Sequence, residues 1–385
     1  MTQHYSDMIK IVADNKIPFL KGVLDKIAEV SYFPGREIDH EHVRNADALI
    51  VRTRTKCNEK LLGGSPVKYI ATATIGYDHL DIEYLRRKGI RWSNAPGCNS
   101  GSVKQYIASA LAYITTLAGK RFGELSLGII GVGHVGKKVE HLARTLGINV
   151  LLNDPPRERM EGGGSFVDLE RLLRDADIVT MHVPLNITGR DKSLHLADQG
   201  FFGKMKEGAW FINTSRGEVT DTGALTNALR KGHLSGSVLD VWENEPHIDM
   251  ELLALAGIAT PHIAGYSLDG KANGTAQSVR EISRFFGLGM DNWYPDNIPA
   301  PDNGMVKIKM NDLVKEQLFQ KIFYHTYNIK ADSLRLKSDP GSFEHLRDYY
   351  PPRREFGAYS LDFKGLSEDL SDSFIDSILK LGFRM

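Results

Sequence analysis

Along the chain, short apolar runs rich in β-branched residues alternate with stretches of helical spacing. Residues 10–14 (KIVAD) read as a first strand, and 18–29 read as a helix. Strands follow at 48–53 (ALIVRT) and 68–73 (KYIATA), then a short helix at 81–88 and a strand at 90–94. A long helix without proline is predicted over 100–117. The alternation then restarts, with strands at 125–130, 149–154, 178–183, 209–214, 237–242 and 258–260. Helices at 135–146, 168–175 and 222–231 lie between them, and 268–286 reads as a second long helix. Parallel strands need crossover connections, usually helical, so this order predicts an α/β fold of two doubly wound parallel sheets. The two long helices are the natural connectors between the units.

After Trp293 the texture changes. Pro295, Pro299 and Pro301 mark a linker. Beyond it, 305–310 (MVKIKM) alternates like a half-exposed strand, 312–327 is helical and 358–363 reads as another strand, together a small α+β module.

Composition narrows the function. The chain has 385 residues, enough for two or three domains. Its 48 Lys and Arg balance 48 Asp and Glu, so no bulk charge favours nucleic acid or an anionic membrane. The longest mostly apolar stretch, 107–119, is far short of the ~20 residues of a membrane helix. The start lacks the basic and apolar segments of a secretory signal. Two cysteines, Cys57 and Cys98, exclude a disulfide scaffold and fit a reducing cytoplasm. The histidines show no metal-ligand spacing, so no metal is expected.

Chemistry enters with LGIIGVGHVG, which holds G-x-G-x-x-G at Gly131, Gly133 and Gly136. It follows an apolar strand and opens an amphipathic helix, the context that gives the pattern meaning. Gly131 permits the tight turn, Gly133 lets backbone approach a pyrophosphate, and Gly136 allows close packing. The helix start at His134 and Val135 offers N–H groups and a positive dipole end to phosphates. The next strand ends at Asp154, about 20 residues on, where a carboxylate suits a ribose 2′-hydroxyl and favours NAD over NADP.

Three polar residues follow three successive strands: Arg216 after FINTS, Glu245 in WENEP and His262 in ATPH. In open α/β sheets the carboxyl ends of strands carry the ligand site. Oxidising an alcohol by hydride transfer requires removal of the hydroxyl proton, and His is the usual agent. A carboxylate orients the imidazole, and a guanidinium holds a substrate carboxylate. The set therefore points to a 2-hydroxy-acid oxidoreductase. Taken singly, His262 could be structural, Glu243 and Glu245 could cap a helix near Asp249, and Arg216 could form a surface ion pair. Asp240, late in an apolar strand, is either a buried hydrogen-bonded acid or a cofactor contact.

LGIIGVGHVG, NTSRGEVTD, LDVWENEP and TPHIAGYS resemble the D-2-hydroxyacid dehydrogenase family. VRTRTKCNE, ATATIGYDHLD, NAPGCNS, NDPPR and HIAGYSLDGKANGT resemble its branch acting on a phosphorylated four-carbon acid. The tail, with PAPDNG and PPRREF, resembles that branch's dimerisation domain. The resemblance implies oxidation of 4-phospho-D-erythronate to 2-oxo-3-hydroxy-4-phosphobutanoate in vitamin B6 biosynthesis, with NAD accepting the hydride. It implies a discontinuous substrate-binding, flavodoxin-like domain (1–100 and 266–292), an NAD-binding Rossmann domain (101–265) and a C-terminal domain (293–385) that forms a homodimer. Arg216 and Glu245 match active-site residues, and His262 the proton-transferring one. Asp154, Asp240, Gly265 and the run Thr214, Ser215 and Arg216 match cofactor contacts. Thr53, Thr74 and Tyr266 match substrate contacts. His134 stands where Asn is common, Thr53 where Ser is common, and Val183, at a cofactor position, where Thr is frequent. Residues 1–7 precede the expected start and look dispensable.

Arg52, Arg54 and Lys56 alternate, so as a strand they would share one face. At least one of the three then reads the substrate phosphate, or they are a solvated basic edge. Other readings are a phosphoglycerate or glycerate dehydrogenase, or an NAD(H)-responsive corepressor-like protein that retains the Arg, Glu and His set.

Overall fold

The computed structural model describes residues 8–309, 314–364 and 368–385, with only the backbone at 309, 364 and 368–371. Residues 1–7, expected to be dispensable, and 310–313, assigned to the end of a strand and the start of a helix, lie outside the described residues. The chain divides into two compact units, Met1–Asn99 with Ser267–Pro299, and Ser100–Tyr266 with Ala300–Met385.

In the first unit, β1 (Lys10–Asp14), β2 (Glu29–Phe33), β3 (Ala48–Val51), β4 (Tyr69–Thr72) and β5 (Arg91–Ser93) form a parallel sheet in the order β2-β1-β3-β4-β5. Side chains alternate across it, as the period of two requires. Ile11, Ala13, Ile50 and Ala71 pack with Leu20, Leu24, Val279 and Ile282, the last two from the helix Leu268–Phe286. Val12, Leu49, Val51 and Ile70 face Leu61, Tyr84 and Leu85 on the other side. The helix expected over 18–29 is absent. Phe19 and Gly22 take positive φ (64° and 85°), which breaks a right-handed helix, and isolated turns lead into β2 instead.

In the second unit, β6 (Ser126–Ile130), β7 (Asn149–Asn153), β8 (Ile178–Met181), β9 (Trp210–Asn213), β10 (Gly236–Leu239) and β11 (Ile258–Ala259) form a parallel sheet in the order β11-β10-β9-β8-β6-β7. The order reverses at β6, so the glycine loop that follows sits at the topological switch point, where open α/β sheets bind ligands. The two sheets establish the doubly wound α/β class.

The C-terminal segment shares the second unit's core. β12 (Met305–Lys309) and β13 (Ser360–Lys364) pair in parallel. Leu318, Phe319, Ile322 and Phe323 of the helix Lys315–Thr326 join Phe356, Phe374 and Phe383 in one cluster with Ile107, Leu111 and Ile114 of the helix Ser100–Ala118. Polar groups of that helix are tied to the segment too: Ser109 Oγ donates to Tyr327 O at 2.5 Å, and Gln105 Nε2 to Arg354 O at 2.9 Å.

Candidate active site

β6 delivers the chain into Gly131, whose φ of +85° only glycine adopts without strain. A Cβ there would also lie 2.7 Å from His182 O, and one at Gly136 would run into Gly131 O. Gly133 differs, since a Cβ on it would meet nothing within 4 Å. Gly133 caps the helix His134–Leu146 with no side-chain hydrogen bond, which leaves the first-turn N–H groups to a ligand. His134 is exposed and Val135 half-buried at that turn. The loop and dipole fit a dinucleotide pyrophosphate.

Asp154 follows β7 and braces this loop. Its Oδ2 accepts from Val132 N at 2.7 Å, and its Oδ1 caps the helix Pro155–Glu161 by accepting from Arg157 N at 3.0 Å. Arg157 Nη1 returns a bond to Val132 O at 2.7 Å. After β8, half-buried Val183 packs against the sheet's core. Its neighbour His182 is half-buried, and desolvation of its ring pushes its pKa down to about 3. His182 Nδ1 lies 3.3 Å from Thr214 Oγ1.

After β9, the Asn213 amide folds the next turn. Its Nδ2 donates to Arg216 O (2.9 Å) and Thr220 Oγ1 (3.0 Å), and its Oδ1 accepts from Ser215 N (2.9 Å) and Ser215 Oγ (2.8 Å). Arg216 thereby emerges at the sheet edge, half-buried, with Nη1 donating to Ser215 O at 2.9 Å.

After β10 and β11, Glu245 and His262 meet: His262 Nδ1 lies 2.8 Å from Glu245 Oε2. Glu245 Oε1 accepts from Trp242 N at 3.0 Å. Burial acts to raise the Glu245 pKa, but His262, the Arg347 guanidinium and the Trp242 N–H outweigh it and hold the carboxyl below its ordinary range. With Glu245 a carboxylate, which only accepts, Nδ1 of His262 is the donor in this bond.

His262 has φ of 57°, a left-handed conformation that surrounding contacts must impose. Asp240 supplies them. Its O accepts from His262 N (2.7 Å), Oδ1 from Ile263 N (2.8 Å) and Thr260 Oγ1 (2.6 Å), and Oδ2 from Ala264 N (2.8 Å). Asp240 is 1% exposed, and burial raises its pKa. Of its two readings, the buried hydrogen-bonded acid describes what its carboxylate does. Half-buried Gly265 and Tyr266 close the same loop.

Thr53, Thr74, Arg52 and Arg54 belong to the first unit, at the carboxyl ends of β3 and β4. Thr74 Oγ1 donates to Gly76 O at 2.8 Å. The common strand face expected for Arg52, Arg54 and Lys56 does not form. β3 ends at Val51, and the chain turns with Thr55 N bonded to Arg52 O at 3.2 Å. Arg52 Nη1 donates to Lys16 O at 3.1 Å, while Thr53 and Arg54 are exposed.

Two arginines of the C-terminal segment reach the site, and local sequence reading gives no sign of either. Arg347 Nη1 lies 3.7 Å from Glu245 Oε2, and its Nε donates to Tyr266 Oη at 3.1 Å. Arg353, 6% exposed, donates through Nη2 to Ser102 Oγ (2.5 Å), Ala264 O (2.6 Å) and Ile263 O (3.2 Å). Among the described residues no His, Cys, Asp and Glu cluster is placed to hold a metal, and no helix is long and apolar enough to cross a membrane.

Comparison with known proteins gives the class. Residues 105–264 match the NAD-binding domain of D-isomer-specific 2-hydroxyacid dehydrogenases, and 300–382 match a domain of unknown function. Solved structures with the same fold include a D-lactate dehydrogenase from Aquifex aeolicus complexed with NAD and lactic acid. It has TM-score 0.60 and 25% identity, over 75% of this chain and 100% of that one. NAD-bound 3-phosphoglycerate dehydrogenase of Entamoeba histolytica has TM-score 0.60 and 25% identity, over 76% of this chain and 100% of that one. The fold and these matches define an NAD-dependent oxidoreductase of the D-2-hydroxyacid dehydrogenase class. Erythronate-4-phosphate dehydrogenase of Bacteroides fragilis is 50% identical over 92% of this chain and 99% of its own length. That of Escherichia fergusonii is 39% identical over 97% and 98%. The chain belongs to the erythronate-4-phosphate dehydrogenase family.

Proposed function

We propose that the protein oxidises 4-phospho-D-erythronate to 2-oxo-3-hydroxy-4-phosphobutanoate, a step of vitamin B6 biosynthesis. The observation that carries this reading is the Glu245–His262 pair at the carboxyl edge of the sheet that bears the glycine loop. His262 Nε2 takes the proton of the substrate 2-hydroxyl. Glu245 holds the ring through Nδ1 and stabilises the imidazolium that forms. Arg216 binds the substrate carboxylate through paired hydrogen bonds. The glycine loop with His134, Val135 and Gly136 holds the dinucleotide pyrophosphate, and Asp154 faces the adenosine ribose. Asp240, Gly265, Val183, Thr214 and Ser215 shape the nicotinamide side. When bound, NAD supplies the hydride acceptor. Thr53, Thr74, Tyr266, Arg52 and Arg54 are substrate-side residues, with at least one of Arg52, Arg54 and Lys56 taking the phosphate. The substrate-binding domain is 1–100 with 266–292, the NAD-binding domain 101–265, and the C-terminal domain 293–385.

The same reading makes the protein a cytoplasmic homodimer paired through 293–385. Large exposed apolar side chains on that segment support the pairing: Leu334 is 70% and Tyr349 76% exposed. Sedimentation at micromolar concentration distinguishes dimer from monomer.

The test of function is NADH formation on 4-phospho-D-erythronate, 3-phospho-D-glycerate, D-glycerate and D-lactate. A parallel set adds a 2-oxo acid acceptor, read by product analysis, so that a retained cofactor is also detected. Strong preference for phosphoerythronate is expected. Preference for another acid overturns the substrate, and no turnover in either format overturns the enzyme reading.

A further inference from the structure

Tyr266, Arg347, Glu245 and His262 form one continuous polar chain. The links are 3.1 Å from Arg347 Nε to Tyr266 Oη, 3.7 Å from Arg347 Nη1 to Glu245 Oε2, and 2.8 Å from Glu245 Oε2 to His262 Nδ1. Arg347 comes from the short helix Phe343–Asp348, some 80 residues along the chain from Tyr266. Its side chain is 23% exposed and that of Glu245 18% exposed, so the ion pair is mostly buried with some solvent access. Its guanidinium also lies over the Tyr266 ring, 5.9 Å from the centroid.

Two consequences follow from the donor and acceptor inventory. A guanidinium only donates, so the Tyr266 oxygen accepts from Arg347 Nε. Glu245 Oε2 faces the imidazole on one side and the Arg347 charge on another, and both favour its carboxylate form.

Building on the proton-transfer role proposed for His262, we propose that Arg347 is a positioning residue of the active site. It locks Glu245 in the orientation that holds His262 and tethers the Tyr266 hydroxyl beside that pair. The C-terminal segment then completes the reaction centre of its own chain, in addition to any role in subunit pairing.

The experiment compares wild type with Arg347→Gln, Arg347→Lys, Tyr266→Phe and the Arg347→Gln/Tyr266→Phe double variant in the full-length protein. With Arg347→Gln, kcat is expected to fall about 10- to 100-fold and substrate KM to rise, while NAD affinity and Tm stay near wild type. Arg347→Lys, which keeps the charge but not the fork, should recover part of kcat. The double variant should lose less than the product of the two single losses, because the residues act through one contact. Wild-type kcat and KM in Arg347→Gln overturn the proposal. So does a loss of NAD affinity and Tm in parallel with activity, which marks a purely structural residue. A second readout does not need turnover: the nitrogen-15 imidazole resonances of His262 are expected to move in Arg347→Gln, and unchanged resonances overturn the proposal. If the wild type oxidises none of the acids while those resonances move, the functional reading fails and the positioning role stands.

Discussion

Asp240 and Arg353 hold the same two residues by opposite groups. The Asp240 carboxylate accepts the N–H groups of Ile263 and Ala264, and Arg353 Nη2 donates to their carbonyls. The grip continues inward, because Thr260 Oγ1 donates to Asp240 and lies 2.7 Å from the Tyr106 hydroxyl. His262 stands immediately before the gripped residues, in its left-handed conformation. Asp240→Asn leaves one oxygen to serve two N–H groups. It should cost about 1–3 kcal/mol in urea unfolding and speed hydrogen exchange at the Ile263 and Ala264 amides. Wild-type exchange rates at both amides would show that the grip is not what holds the loop.

His262 and Glu245 should separate chemistry from cofactor binding. His262→Ala is expected to lower kcat by roughly 10²–10⁴, with NAD affinity unchanged by fluorescence titration. Glu245→Gln keeps the shape but not the charge, and its kcat should fall between wild type and His262→Ala. Turnover near wild type in His262→Ala would remove it as the proton-transferring group.

The glycines of the loop divide by what surrounds them. Gly136→Ala forces a methyl into Gly131 O and should destabilise the protein by about 1–3 kcal/mol. Gly133→Ala meets no neighbour, so its stability should stay within about 0.5 kcal/mol of wild type. Its NAD affinity should nevertheless drop about tenfold or more, because the methyl occupies the approach to the phosphates. Thermal melts with and without NAD measure both, and unchanged NAD affinity in Gly133→Ala would move the pyrophosphate elsewhere.

Acid should destabilise the fold through His182. Its ordinary pKa of 6.5 is depressed to about 3 by burial, so the unfolded chain binds a proton that the native ring refuses. The stabilisation is complete above pH 6.5 and is lost as pH falls toward 3, by up to about 1.4 kcal/mol per pH unit. His182→Asn should flatten that slope in urea melts run between pH 6.5 and 4. A residual slope of the same sign should persist from His79, depressed to about 4 mainly by burial, and at lower pH from the Glu245 carboxyl, held below 4.5. An unchanged slope in His182→Asn would mean that its ring is solvated in the native state.

Much of this arrangement is legible in the sequence because it hangs on strand ends. A buried strand is a short apolar run with a visible terminus, and Gly131, Asp154, Arg216 and His262 each stand just past one. Periodicity misleads at Pro18–Glu29, where Leu20, Leu24, Ile27 and Ala28 repeat like a helix face. Positive φ at Phe19 and Gly22 breaks the run, and β2 follows where no strand is expected. Arg52 and Arg54 mislead in the opposite sense, since an alternating pattern implies a common face only while the strand lasts. Arg347 and Arg353 are invisible for another reason. Their partners lie far away in sequence, and contacts at that separation leave no trace in local spacing.

The shared core of the C-terminal segment has a consequence for synthesis. The helix Ser100–Ala118 is made early, yet Phe319, Phe323, Phe356 and Phe374, which belong to the same apolar cluster, are made about 200 or more residues later. Until those later residues are made, Leu111 and Ile114 lack their partners, and the loop that carries His262 lacks Arg353. Native packing of this unit thus waits until the chain has been made through Phe383. Nascent chains stalled short of residue 343 should be the ones that chaperones retain and proteases cut.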